Sequence, residues 1–231
     1  MTFRSVLSGL LRILFVVLVA YPIVRILMGI NIRHRSRLPV CGPAIIAANH
    51  NSHLDTLTLL TLFPLRQVPR VRPVAAADYF LRNRWLAWLS LNVIGIIPIT
   101  RTVRKSDPLS GCYEALDRGE ILVIFPEGTR GEPEKLGQLK SGIAHLAERY
   151  PQVPVVPVYM HGLGQSLPKG TALLVPFFCD VYVANSLRWS GDRRSFMADL
   201  QRAFDALRQK RVRAEEDDSE PDDRNDATPT Q

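Results

Sequence analysis

The sequence is short of cysteine, of repeated units and of long uninterrupted apolar runs, and each shortage narrows what the chain can be. Cys41, Cys112 and Cys179 are the only cysteines, widely spaced in apolar or turn surroundings. They suggest neither a disulfide framework nor a C-x-x-C metal site, and they fit reduced cytoplasmic thiols. No internal repeat is evident, and no cluster of metal-ligand residues stands out, so neither a metal nor a cofactor is expected. A serine hydrolase would need a G-x-S-x-G elbow, and Gly164-Gln165-Ser166 lacks its closing glycine. Val6 to Ile30 is the most apolar stretch, yet Arg12 and Arg25 leave only Ile13 to Val24 uncharged. Twelve helical residues rise about 18 Å, against roughly 30 Å of hydrocarbon, so that run alone does not span a bilayer.

What is present is one core's worth of apolar residues and an excess of positive charge. At 231 residues with 46% hydrophobic content, the chain can bury a single substantial core. The net charge of +7 conceals an asymmetry, because Ala214 to Gln231 holds eight acidic residues and one arginine. The rest of the chain therefore carries 28 Lys and Arg against 14 Asp and Glu. Such a surface suits anionic lipid, nucleic acid or an acidic carrier protein. Nucleic acid is not an expected partner, because it would leave the N-terminal apolar segment and the motifs below unexplained.

Composition divides the chain into a membrane-anchoring helical segment (1–37), a folded body (38–212) and a disordered acidic tail (213–231). Pro22 breaks the first segment, and Arg4, Arg12, Arg25, Arg33, Arg35 and Arg37 surround it. A bent helix pair lying in one leaflet fits this pattern, its arginines reaching lipid phosphates. A tilted single span is one alternative, and a signal peptide cleaved after Leu18-Val19-Ala20 is another.

Within the body, strand-like runs alternate with helical ones. Ala44 to Ala48, Val71 to Ala77, Gly95 to Arg101, Ile121 to Phe125, Val153 to Tyr159 and Leu173 to Val183 read as strands. The prolines of the fifth place it at an edge or make it irregular. Helices are expected after Ser52, over Tyr79 to Leu91 with its aromatics mainly in the core or, alternatively, at a membrane interface, from Asp107-Pro108 to about Arg118, around Ser141 to Tyr150, and over Arg193 to Lys210. The fold class is α/β, with a mixed, mostly parallel sheet flanked by helices.

Chemistry concentrates where strands break. Asn49-His50-Asn51-Ser52-His53-Leu54-Asp55 follows the first strand and opens a helix, the place where an α/β fold presents polar groups at a strand's carboxyl end. His50 and Asp55 are near enough for the carboxylate to take one imidazole nitrogen and leave the other to accept a proton from a substrate hydroxyl. Ser52-His53-Leu54-Asp55 also fits a capping box, which would make Asp55 structural, and His53 is a rival base. Pro126-Glu127-Gly128-Thr129-Arg130 breaks the fourth strand in a turn able to offer amides, a hydroxyl and a guanidinium to a phosphate, or to serve as a plain surface turn.

Four ordered segments together resemble the glycerolipid acyltransferase family, the 1-acyl-glycerol-3-phosphate acyltransferase-like branch of the lysophospholipid acyltransferase superfamily. They are N-H-x-S-x-x-D at Asn49 to Asp55, G-x-x-P-x-x-R at Gly95 to Arg101, Phe125 to Arg130, and the valine-proline strand Val153 to Pro157. The resemblance implies a glycerol-3-phosphate acyltransferase-like fold behind an N-terminal leaflet-bound helical motif. It implies that His50 deprotonates the acceptor, that Asp55 orients the imidazole, and that Arg101, Glu127, Gly128, Thr129 and Arg130 hold the acceptor phosphate. The implied reaction moves a fatty acyl group from acyl-CoA or acyl carrier protein to the sn-2 hydroxyl of 1-acyl-glycerol-3-phosphate, or to another lyso-lipid or glycerol-3-phosphate, at the cytoplasmic face of the cell membrane. A non-catalytic membrane-surface binding protein is the reading from another class.

Overall fold

Ala44–Ala48 (β2) has nothing larger than isoleucine and no polar side chain, so it can be buried on both faces, and all five residues are. It is the middle strand of a seven-stranded sheet in the computed structural model, which describes residues 3–52, 54–100, 107–129, 136–163 and 178–219. The other strands are β1 (Ile30–Arg33), β3 (Val71–Ala76), β4 (Ile97–Ile99), β5 (Ile121–Ile124), β6 (Val155–His161) and β7 (Cys179–Val183). Their spatial order is β1-β7-β6-β2-β5-β3-β4. Every neighbouring pair is parallel except β6 with β7. The carboxyl ends of β6, β2, β5, β3 and β4 therefore share one edge.

Side chains alternate across β2. Ala44, Ile46 and Ala48 join a core with α2 (Leu54–Thr61) and the N-terminal helix, whereas Ile45 and Ala47 face α5 (Ser110–Asp117), α6 (Gly142–Arg149) and α7 (Arg193–Ser219). Phe196, Leu200, Phe204 and Leu207 form the buried stripe of α7 at helical spacing. That helix continues to Ser219, past the expected end at Lys210, because Arg, Ala and Glu favour helix beyond the last core contact. Of the expected sixth strand, residues 173–177 lie outside the described residues.

Three expectations are corrected. The proline-bearing strand β6 lies inside the sheet, between β2 and β7, with every residue buried. Pro157 is tolerated because its missing donor faces the side where β7 has just ended, and its carbonyl there accepts from Ala184 at 2.9 Å. Tyr79 to Leu91 is not one core helix. It divides into α3 (Ala77–Phe80), α4 (Arg84–Trp88) and the start of a wide π-type turn (Leu89–Ile94), and Trp85 and Trp88 are 77% and 52% exposed. Lastly, Ile30–Arg33 of the expected anchoring segment pairs with β7 as an edge strand.

Three arginines of that segment bond to the body. Helix α1 (Phe3–Phe15) runs through two π-type turns, Val16–Ala20 and Pro22–Leu27, and Val6–Ile26 is long and apolar enough to cross a membrane. One stripe of it is buried against the body, at Arg12, Val16, Ala20, Val24 and Met28. Arg12 is 6% exposed and donates to the carbonyls of Pro69 (2.9 Å) and Leu91 (3.5 Å). Burial and then neighbouring Arg72 lower its pKa to about 10 while Glu120 raises it, so it stays charged at neutral pH. Arg35 and Arg37 likewise donate to the carbonyls of Leu62 and Val183. These three guanidiniums tie the segment to the rest of the fold.

Arg12 fills the space that Gly95 leaves. Gly95 has φ +82°, and a Cβ on it would meet the Arg12 Cζ at 2.6 Å. Arg72 Nε donates to the Gly95 carbonyl at 2.7 Å, so two guanidiniums fix the corner that opens β4. Replacing Gly95 with Ala should lower the unfolding free energy by about 2 kcal/mol, and by only about half that in an Arg12→Ala background, where the colliding side chain is gone. Denaturant unfolding of the four proteins in detergent reads this out. Equal losses in both backgrounds would mean that the helix and the corner are not in contact.

Candidate active site

β2 delivers Asn49 and His50 to the carboxyl edge of the sheet. Asn49 is buried and pairs with the main chain of Met160 twice, donating to its carbonyl at 2.8 Å and accepting from its amide at 2.7 Å. This side-chain bridge ties the end of β2 to β6 and fixes the direction in which the next residue leaves. His50 then points its Nδ1 at Asp55 Oδ2, 2.8 Å away.

Asp55 sits in the first turn of α2, wholly buried, and the same oxygen takes two more bonds, from the amides of Asn51 (2.7 Å) and Ser52 (2.8 Å). The Ser52 bond is the returning half of a capping box, and Ser52 Oγ accepts from Leu54 N at 3.3 Å. The cap and the dyad are therefore one structure: the bonds that start the helix also hold the carboxylate under the imidazole. Because Asp55 Oδ2 can only accept when ionised, Nδ1 carries the proton, and the lone pair of Nε2 is left for the cleft that His50 lines. Burial pushes the Asp55 carboxyl up, and the His50 bond and the two amides pull it back. Since the raised value belongs to the folded state, ionising Asp55 reduces stability as pH rises through it, and the two amides and the imidazole offset part of that loss.

The β5 end supplies the opposite wall. Phe125 stacks on the His50 ring with centroids 4.1 Å apart and planes 21° apart, which fixes the imidazole in orientation. Glu127 is 5% exposed, and its two oxygens accept from the amides of His50 and Gly137, each at 2.8 Å. Burial raises its pKa and those two amides lower it. Its place is thus behind the base, on the main chain. Gly128 (φ +72°) leaves room for the Lys140 side chain, whose Nζ would lie 2.8 Å from a Cβ at that position. Gly128 and Thr129 line the cleft.

The cleft has a volume of about 680 Å³, in the range of small-molecule sites. Val74, Ile94, Ile96, Ile99 and Phe80 give it an apolar length, Phe15 closes it from the N-terminal helix, and His50, Thr56, Thr129 and Arg82 give it polar points. Among the described residues no group of three or more His, Cys, Asp or Glu is placed to hold a metal ion.

A family model described as Acyltransferase matches residues 29–161. The chain belongs to that family. A chloroplastic 1-acyl-sn-glycerol-3-phosphate acyltransferase of Arabidopsis thaliana is 32% identical over 145 residues, covering 62% of this chain and 38% of that protein. The 1-acyl-sn-glycerol-3-phosphate acyltransferase alpha of Homo sapiens is 31% identical over 148 residues, covering 59% and 48%. The chain spans less than half the length of these relatives. The crystal structure of the 1-acyl-sn-glycerophosphate acyltransferase of Thermotoga maritima shares the fold, with a TM-score of 0.60 at 21% identity over 77% of this chain and 71% of that one.

Of the expected site residues, the structure brings His50, Asp55, Glu127, Gly128 and Thr129 together. Arg101, Arg130 and the rival base His53 lie outside the described residues. Asn49, Phe125, Lys140 and the Phe15 wall were missed. Asn49 opens the recognised motif and could have been found there, but the reach of Phe15 into the cleft has no local signal. If Glu127 holds the main chain, Glu127→Gln must turn an amide donor toward a backbone N–H. Hydrogen exchange at the His50 or Gly137 amide should then speed up by at least about tenfold, read by exchange mass spectrometry.

Proposed function

We propose that the chain is an O-acyltransferase that moves a fatty acyl group from acyl-CoA or acyl carrier protein to the sn-2 hydroxyl of 1-acyl-glycerol-3-phosphate. The observation that carries this reading is the His50–Asp55 pair on an apolar cleft: a base with its proton-accepting nitrogen turned to a space that suits a fatty chain. Nε2 takes the hydroxyl proton as the oxygen attacks the thioester carbonyl. The tetrahedral intermediate collapses, the carbon–sulfur bond breaks, and the departing thiolate takes the proton back from the imidazolium. Asp55 stabilises that imidazolium without itself being protonated. Thioesters are reactive enough for positioning and a base to suffice, so no acyl-enzyme is needed.

Arg101 and Arg130 bind the acceptor phosphate beside Gly128 and Thr129, and Lys140 adds a cation over that turn. The related proteins named for this acceptor support the choice of substrate. The N-terminal segment lies along one leaflet. Support comes from its two ends: Gly9 approaches Pro69 and Met28 is buried in the core, so a crossing helix would drag the body into the bilayer. A thioester donor carried in the cytoplasm puts the enzyme on that face of the membrane.

Transfer of a radiolabelled long-chain acyl group from each donor to a panel of lyso-acceptors tests the proposal. His50→Ala and Asp55→Asn should each lower kcat by about 10³-fold or more, while Arg101→Ala and Arg130→Ala should mainly raise the acceptor KM. Folded protein that transfers to no acceptor from either donor would favour a binding protein, and unchanged acceptor KM in both arginine variants would remove their assignment.

A further inference from the structure

The most exposed large apolar side chains outside the N-terminal helix include Trp85 (77%) and Trp88 (52%), on a short helix with nothing from the described residues covering it. Leu81, Leu89 and Leu91 are exposed beside them. The π-type turn Leu89–Ile94 packs directly on α1, whose Leu10 and Leu14 are exposed on the side away from buried Arg12. Arg84, at the start of α4, and Arg82, two residues before it, are exposed, as are Arg66 and Arg70, and none of the four has an ion pair or hydrogen bond with a described residue. Asp78 is the exposed acid nearest to α4 in sequence. An apolar, tryptophan-bearing surface with a rim of free guanidiniums matches the interfacial layer of an anionic leaflet, where indoles sit among headgroups and arginines meet phosphates.

We propose that α4 and the turn after it form a second membrane contact, seating Trp85 and Trp88 in the headgroup region of an anionic phospholipid leaflet. Tyr79 and Arg82, just before that helix, line the cleft, so the second contact would hold the cleft close to the leaflet. The inference rests on the proposed acyl transfer only for its kinetic consequence: a lyso-lipid moves from leaflet to cleft without entering water.

The three tryptophans make the test direct, because Trp189 packs on Phe196 in the core of the opposite sheet face. Full-length protein would be bound to phosphatidylglycerol vesicles with and without brominated acyl chains. Trp189→Phe protein, which keeps Trp85 and Trp88, should lose about half of its emission to bromine, whereas Trp85→Phe/Trp88→Phe protein should lose almost none. Vesicle-bound Trp189→Phe protein that is quenched no more than the double variant overturns the proposal. In the kinetic arm, Trp85→Ser/Trp88→Ser should raise the apparent KM several-fold for a long-chain acceptor in vesicles and leave a water-soluble short-chain acceptor unchanged. Equal effects on both acceptors would also overturn it. The quenching measurement needs no turnover, so failure of the proposed reaction and failure of the second contact are told apart.

Discussion

A single carboxylate oxygen organises this molecule's chemistry. Asp55 Oδ2 receives the amides of Asn51 and Ser52 and the Nδ1 proton of His50, and the carboxylate is wholly buried while it does so. An uncompensated charge there would be strongly unfavourable, and three donors aimed at one atom are what make it tenable. The consequence is rigidity. The turn from β2 into α2 cannot relax without leaving that charge unpaired, so the imidazole stays where the scaffold puts it. Asn49 and Glu127 extend the same logic outward, each using a side chain to hold main chain on either side of the base. The imidazole is held from four directions, with Phe125 supplying the last.

The second constraint couples the N-terminal helix to the body. A buried guanidinium on an otherwise apolar helix is expensive unless its donors find acceptors, and Arg12 finds the carbonyls of Pro69 and Leu91 at a corner where only glycine leaves room. That corner opens β4, which leads toward Arg101. The N-terminal helix is thus tied to the edge of the sheet and is part of the framework of the body.

How much of this could be read from the sequence follows from where the information lies. The buried strands were readable because Ala44–Ala48 and Ile121–Ile124 are short continuous apolar runs bounded by turn residues, the pattern of a strand covered on both faces. The dyad was readable because its members are five residues apart on one turn. What failed was long-range. The interior place of β6 depends on where β7 stops, and the edge strand Ile30–Arg33 exists only because β7 is there to pair with it. Trp85 and Trp88 looked like core because aromatics usually are, but the chain bends at Leu81–Asn83 and leaves both exposed among the described residues. Glu127 was expected to meet substrate because the motif is a phosphate turn, and only the three-dimensional register shows both its oxygens on amides.

The cleft's polarity suits the acceptor proposed above, which has a long apolar part and a compact charged end. His50 and Thr129 line the cleft near the carboxyl ends of β2 and β5, with Lys140 beside Gly128, and Asp78 and Arg82 line it after β3, whereas the lining side chains from β3, β4 and the π-type turn are aliphatic. A water-soluble substrate would leave that wall in contact with water and gain nothing from it, whereas a fatty chain gains about 0.8 kcal/mol for each methylene it buries. Phe15 sharpens the point, because a residue of the apolar N-terminal helix forms part of the wall itself. The wall of the cleft and the N-terminal helix are therefore joined through this one side chain.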